Sequence, residues 1–73
     1  MTVEKISINT GFIKLDSFLK FCGAVETGGN AKEIILGGAV TVDGQICIQR
    51  GKKLYPGAAV SIGGRKFEVI GED

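Results

Sequence analysis

The spacing of the hydrophobic residues predicts a strand followed by a helix in the first third of the chain. Residues 3–8 alternate, imperfectly, between apolar and polar side chains, which favours a strand. From residue 15 the apolar positions recur at i, i+3, i+4 and i+7, the stripe of an amphipathic helix. The stripe consists of Leu15, Phe18, Leu19 and Cys22. Gly23 is placed to end this helix in a left-handed conformation, so we expect a first helix over about residues 15–22.

A second helix is predicted by a shorter apolar stripe made of Ala31, Ile34 and Ile35. Thr27 precedes the stripe, and a threonine hydroxyl can cap a helix by accepting a hydrogen bond from a first-turn N–H. Gly37 and Gly38 follow the stripe, so the helix is expected to stop there.

Short apolar runs separated by turn signals predict strands in the rest of the chain. Residues 39–42 form one such run, and Asp43-Gly44 is a hairpin turn signal that leads into an extended segment at 45–48. Residues 49–55 are polar, basic and without a period, which predicts a loop. Pro56-Gly57 suits the centre of a type II turn.

The last strands are expected to form a hairpin around Gly63-Gly64, in which Val60 faces Phe67. The element order therefore predicts one α+β domain over residues 1–73, with two short helices packed on one face of a small, mostly antiparallel sheet. The expected core is Leu15, Phe18, Leu19, Ile34, Ile35, Val40, Val42, Val60 and Phe67.

Composition narrows the classes of protein to consider. At 73 residues and 44% hydrophobic, the chain can form one small domain but not a multi-step enzyme with its own cavity. It contains no apolar run of membrane-spanning length and no signal-peptide pattern, so we expect a cytoplasmic protein without a membrane partner. With no His, and with Cys22 and Cys47 far apart, neither a metal site nor another cofactor is expected. Both cysteines are interpreted as small buried hydrophobic residues.

The net charge of +1 hides an uneven distribution. Residues 45–66 contain five basic residues and no acidic one, whereas acidic residues dominate the last seven positions. Such a block can attract a polyanion, but it can equally be a solvated surface.

Two segments carry candidate binding chemistry. The first segment is residues 27–32, whose glycines would let a phosphate approach the backbone at the start of a helix closely. The alternative interpretation is that these glycines only form a tight connection between the helices that needs positive φ. Three cations within residues 50–53 point to a nucleic-acid backbone or to a solubilising loop. Tyr55 lies nearby and can stack on a base or cover the edge of the core.

Taken in order, several motifs resemble the S-four-type RNA-binding domain, also called the alpha-L motif, and especially its stand-alone bacterial branch known as YaaA-like. The resemblance covers about residues 13–62. The motifs are the segments 14–20 (KLDSFLK), 27–32 (TGGNAK), 38–44 (GAVTVDG), 50–54 (RGKKL) and 56–57 (PG).

The resemblance implies an RNA-facing surface built from the two helices and the basic loop. The positions that carry over are Lys14, Lys20, Thr27, Gly29, Lys32, Arg50, Lys52 and Lys53. It implies contact with phosphates and recognition of RNA shape, because the narrow major groove of A-form RNA hinders reading of bases.

This sequence departs from the family pattern at a few positions. Lys14 stands where many members have Arg, Thr27-Gly28 stand where many have Ser-Arg, and Asp43 stands where Asn is common. Fewer cations imply weaker binding, or dependence on a partner such as the ribosome.

The sequence therefore predicts a monomeric, non-catalytic protein that binds structured RNA, such as ribosomal or transfer RNA. The alternative is a protein-interaction or ribosome-assembly module of the same fold, whose basic loop meets an acidic protein.

Overall fold

The two helices form where the apolar spacing predicts them. In the computed structural model, which describes residues 3–71, α1 spans Leu15–Phe21 and α2 spans Gly28–Leu36. Gly23 has a φ of 79°, and its N–H donates to the Lys20 carbonyl at 3.1 Å, which ends α1. The Asn30 N–H donates to the Thr27 hydroxyl at 3.1 Å, so the predicted cap of α2 is confirmed.

Residues 3–71 also contain seven strands. They are β1 (Val3–Ile8), β2 (Ile13–Lys14), β3 (Val40–Val42), β4 (Gln45–Ile46), β5 (Lys53–Leu54), β6 (Ala59–Ile62) and β7 (Arg65–Gly71). Five of them form one sheet in the order β1-β7-β6-β3-β4, in which only the β1–β7 pair is parallel. The expected α+β fold, with two helices on a mostly antiparallel sheet, is confirmed.

The predicted turns after β3 and after β6 are present in this sheet. Asp43 and Gly44 both have positive φ, 52° and 85°, as the tight β3–β4 turn requires. Val60 is the cross-strand partner of Phe67, so the predicted register of the β6–β7 hairpin is confirmed.

The prediction of a loop over residues 49–55 is wrong at its end. Lys53 and Leu54 form β5, which pairs antiparallel with β2 in a separate two-stranded ribbon. Leu54 is buried and its partner Ile13 is half-buried, so the ribbon has an inward face. Strands of two residues are too short to show an alternation, and the partner lies far away in sequence, so local pattern reading missed the pair.

The helices bury their apolar stripes against the sheet. Eight of the nine predicted core residues are buried; the exception is Ile34, which is half-buried at the edge of the core. Phe18 of α1 meets Phe67 of β7 edge to face, with ring centroids 6.0 Å apart and an interplanar angle of 84°. Cys22 and Cys47 are half-buried against the core rather than fully buried, because each lies in an irregular segment just past the end of an element.

Candidate nucleic-acid interface

The basic segment 50–53 is fixed by backbone hydrogen bonds to the start of α1. The Leu15 N–H donates to the Lys52 carbonyl at 2.9 Å, and the Asp16 N–H donates to the Arg50 carbonyl at 3.1 Å. These bonds use N–H groups that the first turn of a helix otherwise leaves unpaired. The carbonyls therefore hold the segment in place, while the side chains of Arg50 and Lys52 stay exposed.

Four cations meet at this point, and we call them the basic cluster: Lys14, Arg50, Lys52 and Lys53. Lys14 and Lys53 are direct cross-strand partners in the β2–β5 ribbon. Directly opposed residues of an antiparallel pair project from the same face, and like charges in that arrangement destabilise it. All four side chains are exposed, so the fold gathers positive charge around the ribbon and the start of α1.

An aromatic pair lies on the same ribbon. Phe12 and Tyr55 are the residues next to Lys14 and Lys53 on that outward face, and their ring centroids are 5.9 Å apart at 50°. The Lys53 ammonium lies 4.9 Å from the centroid of the Phe12 ring. Sequence analysis considered Tyr55 but missed Phe12, because only the β2–β5 register brings the two together.

The other four predicted site residues lie on the helices. Lys20 is in the last turn of α1, whereas Gly29 and Lys32 are in the first half of α2, directly after Thr27. All four are exposed. Of this group, Lys20 lies at the end of α1 that is farther from the basic cluster.

Gly29, at the start of α2, is not a turn residue. It is helical and is not among the positive-φ positions, so at Gly29 the interpretation as a tight turn that needs positive φ is wrong. A Cβ at Gly29 would meet only the Thr27 hydroxyl, at an ordinary 3.8 Å. Glycine weakens a helix by about 1 kcal/mol relative to alanine, and the fold does not demand it at Gly29.

The acid-free block of residues 45–66 does not form one surface. Arg65, on β7, makes an ion pair with Glu4 of β1, with its Nη2 3.1 Å from Oε2, and it also lies over the Phe67 ring. Lys66 belongs to the same strand. The part of the block that concentrates charge is therefore 50–53, joined by Lys14 from outside it.

The Cys22 thiol lies half-buried against the core. Burial raises the pKa of the Cys22 thiol, which keeps it protonated and weakly nucleophilic at neutral pH. Within residues 3–71, no three His, Cys, Asp or Glu side chains are grouped so as to hold a metal ion. Neither helix of this described part is long and apolar enough to cross a membrane.

Comparison with known proteins agrees with this geometry. Residues 6–70 match the sequence profile of the S4 domain. The chain is 39% identical over 66 residues to the probable ribosome maturation protein RlbA of Bacillus subtilis (strain 168), a match that covers 89% of this chain and 93% of RlbA.

A solved structure shares the fold as well. The solution structure of YbcJ from E. coli, described as revealing an alfaL motif involved in RNA binding, matches with a TM-score of 0.73 and 30% identity, covering 96% of this chain and 90% of YbcJ. The resemblance seen in the sequence is confirmed: this chain belongs to the S4 domain family and has its alpha-L RNA-binding fold.

Proposed function

We propose that this protein binds structured RNA through the basic cluster and the exposed start of α2. The observation that carries the proposal is the opposition of Lys14 and Lys53 on a ribbon whose position is set by backbone hydrogen bonds. The only ion pair in residues 3–71 is Arg65 with Glu4, so within these residues no member of the basic cluster forms an ion pair with a carboxylate. A polyphosphate would relieve this repulsion and release its own counterions on binding.

The second part of the proposed surface is the helical group Lys20, Thr27, Gly29 and Lys32. The N–H groups of the first helical turn have no partner within the helix, and Thr27 satisfies only that of Asn30. Gly29 is exposed and leaves its N–H group open to a phosphate oxygen, and the helix dipole favours the negative charge of that oxygen. Lys20, in the last turn of α1, and Lys32, in α2, add exposed positive charge to this group.

Two cationic groups at opposite ends of α1 suit a rigid, folded RNA. Helix α1 has seven residues, so its two ends, next to which Lys14 and Lys20 stand, are about 10 Å apart at a rise of 1.5 Å per residue. Such an arrangement reads the spacing of phosphates in a folded RNA rather than its base edges. We propose ribosomal or transfer RNA as the target. The similarity to a probable ribosome maturation protein supports a ribosomal partner.

We further propose that the protein acts by binding alone, as a cytoplasmic monomer, with residues 1–73 forming a single RNA-binding domain whose motif core lies at about 13–62. The eight predicted site residues are all exposed, which supports a binding role. Seven of them lie near a helix start or on the ribbon, and Lys20 lies in the last turn of α1.

The affinity for RNA is expected to fall steeply with salt concentration. If four to six phosphates are neutralised, a plot of log affinity against log salt has a slope of about −3 to −5, at about 0.7 to 0.9 per contact. Fluorescence-anisotropy titration of a labelled ribosomal RNA hairpin at several salt concentrations measures this slope. A slope near zero contradicts the proposal.

Competition separates RNA from an acidic protein as the partner. Unlabelled hairpin RNA is expected to displace the labelled RNA at far lower charge concentration than poly-L-glutamate does, because carboxylates on a flexible chain do not match the spacing of the two cationic groups. Equal displacement by the two competitors would favour the protein-interaction module instead.

A further inference from the structure

The exposed rings of Phe12 and Tyr55 have no evident role in the core. Tyr55 is 55% exposed and Phe12 is 37% exposed, although both flank strands whose inward residues, Ile13 and Leu54, already pack against the core. Exposed aromatic surface is more often found where a protein binds a partner than where it only folds.

The surroundings of the pair identify the kind of partner. Lys14 and Lys53 lie on the same outward face, and the Lys53 ammonium is 4.9 Å from the Phe12 ring centroid. An exposed ring with cations beside it suits a ligand that has an aromatic group to stack on the ring and phosphates on both sides of that group to contact the cations. Single-stranded nucleic acids are bound in this way, with bases stacked on aromatic rings and phosphates held by basic residues.

Phe12 and Tyr55 have different parts in this arrangement. The Phe12 ring has the Lys53 ammonium over it and packs at a tilt against the Tyr55 ring, so it supports the tyrosine ring from one side. Tyr55 is the more exposed of the two and retains free ring surface. Its ring is therefore the one available for stacking.

We propose that Tyr55, supported by Phe12, is a stacking platform for one unpaired nucleobase of the bound RNA, with Lys14 and Lys53 contacting the flanking phosphates. This inference rests on the proposed function and adds that the target carries an unpaired base, in a loop or bulge, beside its folded part. Stacking does not depend on base identity, since every base has an aromatic face.

The platform can be tested by the fluorescence of the protein itself. The chain contains one Tyr and no Trp, so all of its tyrosine emission comes from Tyr55. A stacked base quenches this emission. We expect strong quenching on titration with an RNA hairpin that carries a single bulged adenosine and little quenching with the same stem fully paired. N-acetyl-tyrosinamide in a parallel titration corrects for light absorbed by the RNA.

Three variants complete the test, with affinity measured on a labelled form of each RNA. Tyr55→Leu is expected to bind the bulged hairpin about tenfold more weakly and the paired stem as the parent does, while Tyr55→Phe keeps the parent affinity for both. Ile46→Ala, which removes an exposed apolar side chain from β4, outside the proposed surface, is expected to change neither affinity.

The outcomes distinguish this inference from the proposed function. If the parent binds both RNAs equally, without quenching, and Tyr55→Leu matches it, the stacking platform is refuted while RNA binding stands. If the parent binds neither RNA at low salt, the proposed function itself fails.

Discussion

Replacing Arg50, Lys52 and Lys53 together with alanine is expected to weaken binding of structured RNA at least a hundredfold. Each lost contact between a cation and a phosphate removes roughly 1 kcal/mol or more of binding free energy, and three such losses exceed the ~2.7 kcal/mol of a hundredfold change. The measurement is the affinity of the parent and the variant for one RNA hairpin at one salt concentration.

The same variant is expected to keep a nearly unchanged melting temperature. The hydrogen bonds that tie this segment to α1 come from the carbonyls of Lys52 and Arg50, which alanine also has. The loss of the exposed contact between Lys53 and Phe12 is offset by relief of the repulsion between Lys53 and Lys14. A large drop in melting temperature would show that these side chains support the fold.

Two controls remove cations from the sheet instead. Lys5→Ala alters an exposed residue of β1, outside the family motifs, and is expected to leave both affinity and stability close to those of the parent. The triple variant Lys5→Ala, Arg65→Ala, Lys66→Ala lowers the net charge by the same three units. It loses the exposed ion pair between Arg65 and Glu4, which is of small value, and the contact of Arg65 with the Phe67 ring. Equal loss of RNA binding in the matched triple variant would mean that net charge, rather than the basic cluster, governs affinity.

The Phe18→Ala variant is expected to lose about 3–5 kcal/mol of unfolding free energy. Phe18 is completely buried and meets Phe67 edge to face, so the truncation leaves a cavity between α1 and the sheet. The total free energy of unfolding of a domain of this size is only about 4–11 kcal/mol. The melting temperature of Phe18→Ala is therefore expected to fall by more than about 12 °C.

Phe21→Ala is the matched control for this prediction. It removes the same side chain from the same helix, but at a position that is 62% exposed. Urea unfolding followed by circular dichroism is expected to show that the free energy of unfolding of Phe21→Ala differs from that of the parent by less than about 1 kcal/mol. Similar losses in the two variants would contradict the packing of α1 described here.

The sequence predicted the parts of the fold that depend on local spacing. The stripe from Leu15 to Cys22 and the cap at Thr27 located both helices, because helix faces and caps are set by residues a few positions apart. The β6–β7 register followed from the turn at Gly63-Gly64 for the same reason. The parallel pairing of β1 with β7 joins the two ends of the chain, and no local signal indicates it.

The residues of the candidate site could be predicted from the sequence, but their positions relative to one another could not. The family motifs point to the segment 50–53 and to the start of α2, yet they do not show that Lys14 is opposite Lys53. That pairing depends on two strands of two residues each, which join distant parts of the chain. The same unseen register kept Phe12 out of the predicted site.

Amide chemical-shift mapping with an RNA hairpin tests the central claim most directly, because it reports contact residue by residue in the intact protein. We predict that the largest shifts fall on the ribbon and the segment before it, residues 50–55 and 12–16, and on the start of α2, residues 27–32. The β4 edge and the β6–β7 turn should change little. The largest shifts at β4 or at the β6–β7 turn, or no shifts at low salt, would contradict the account.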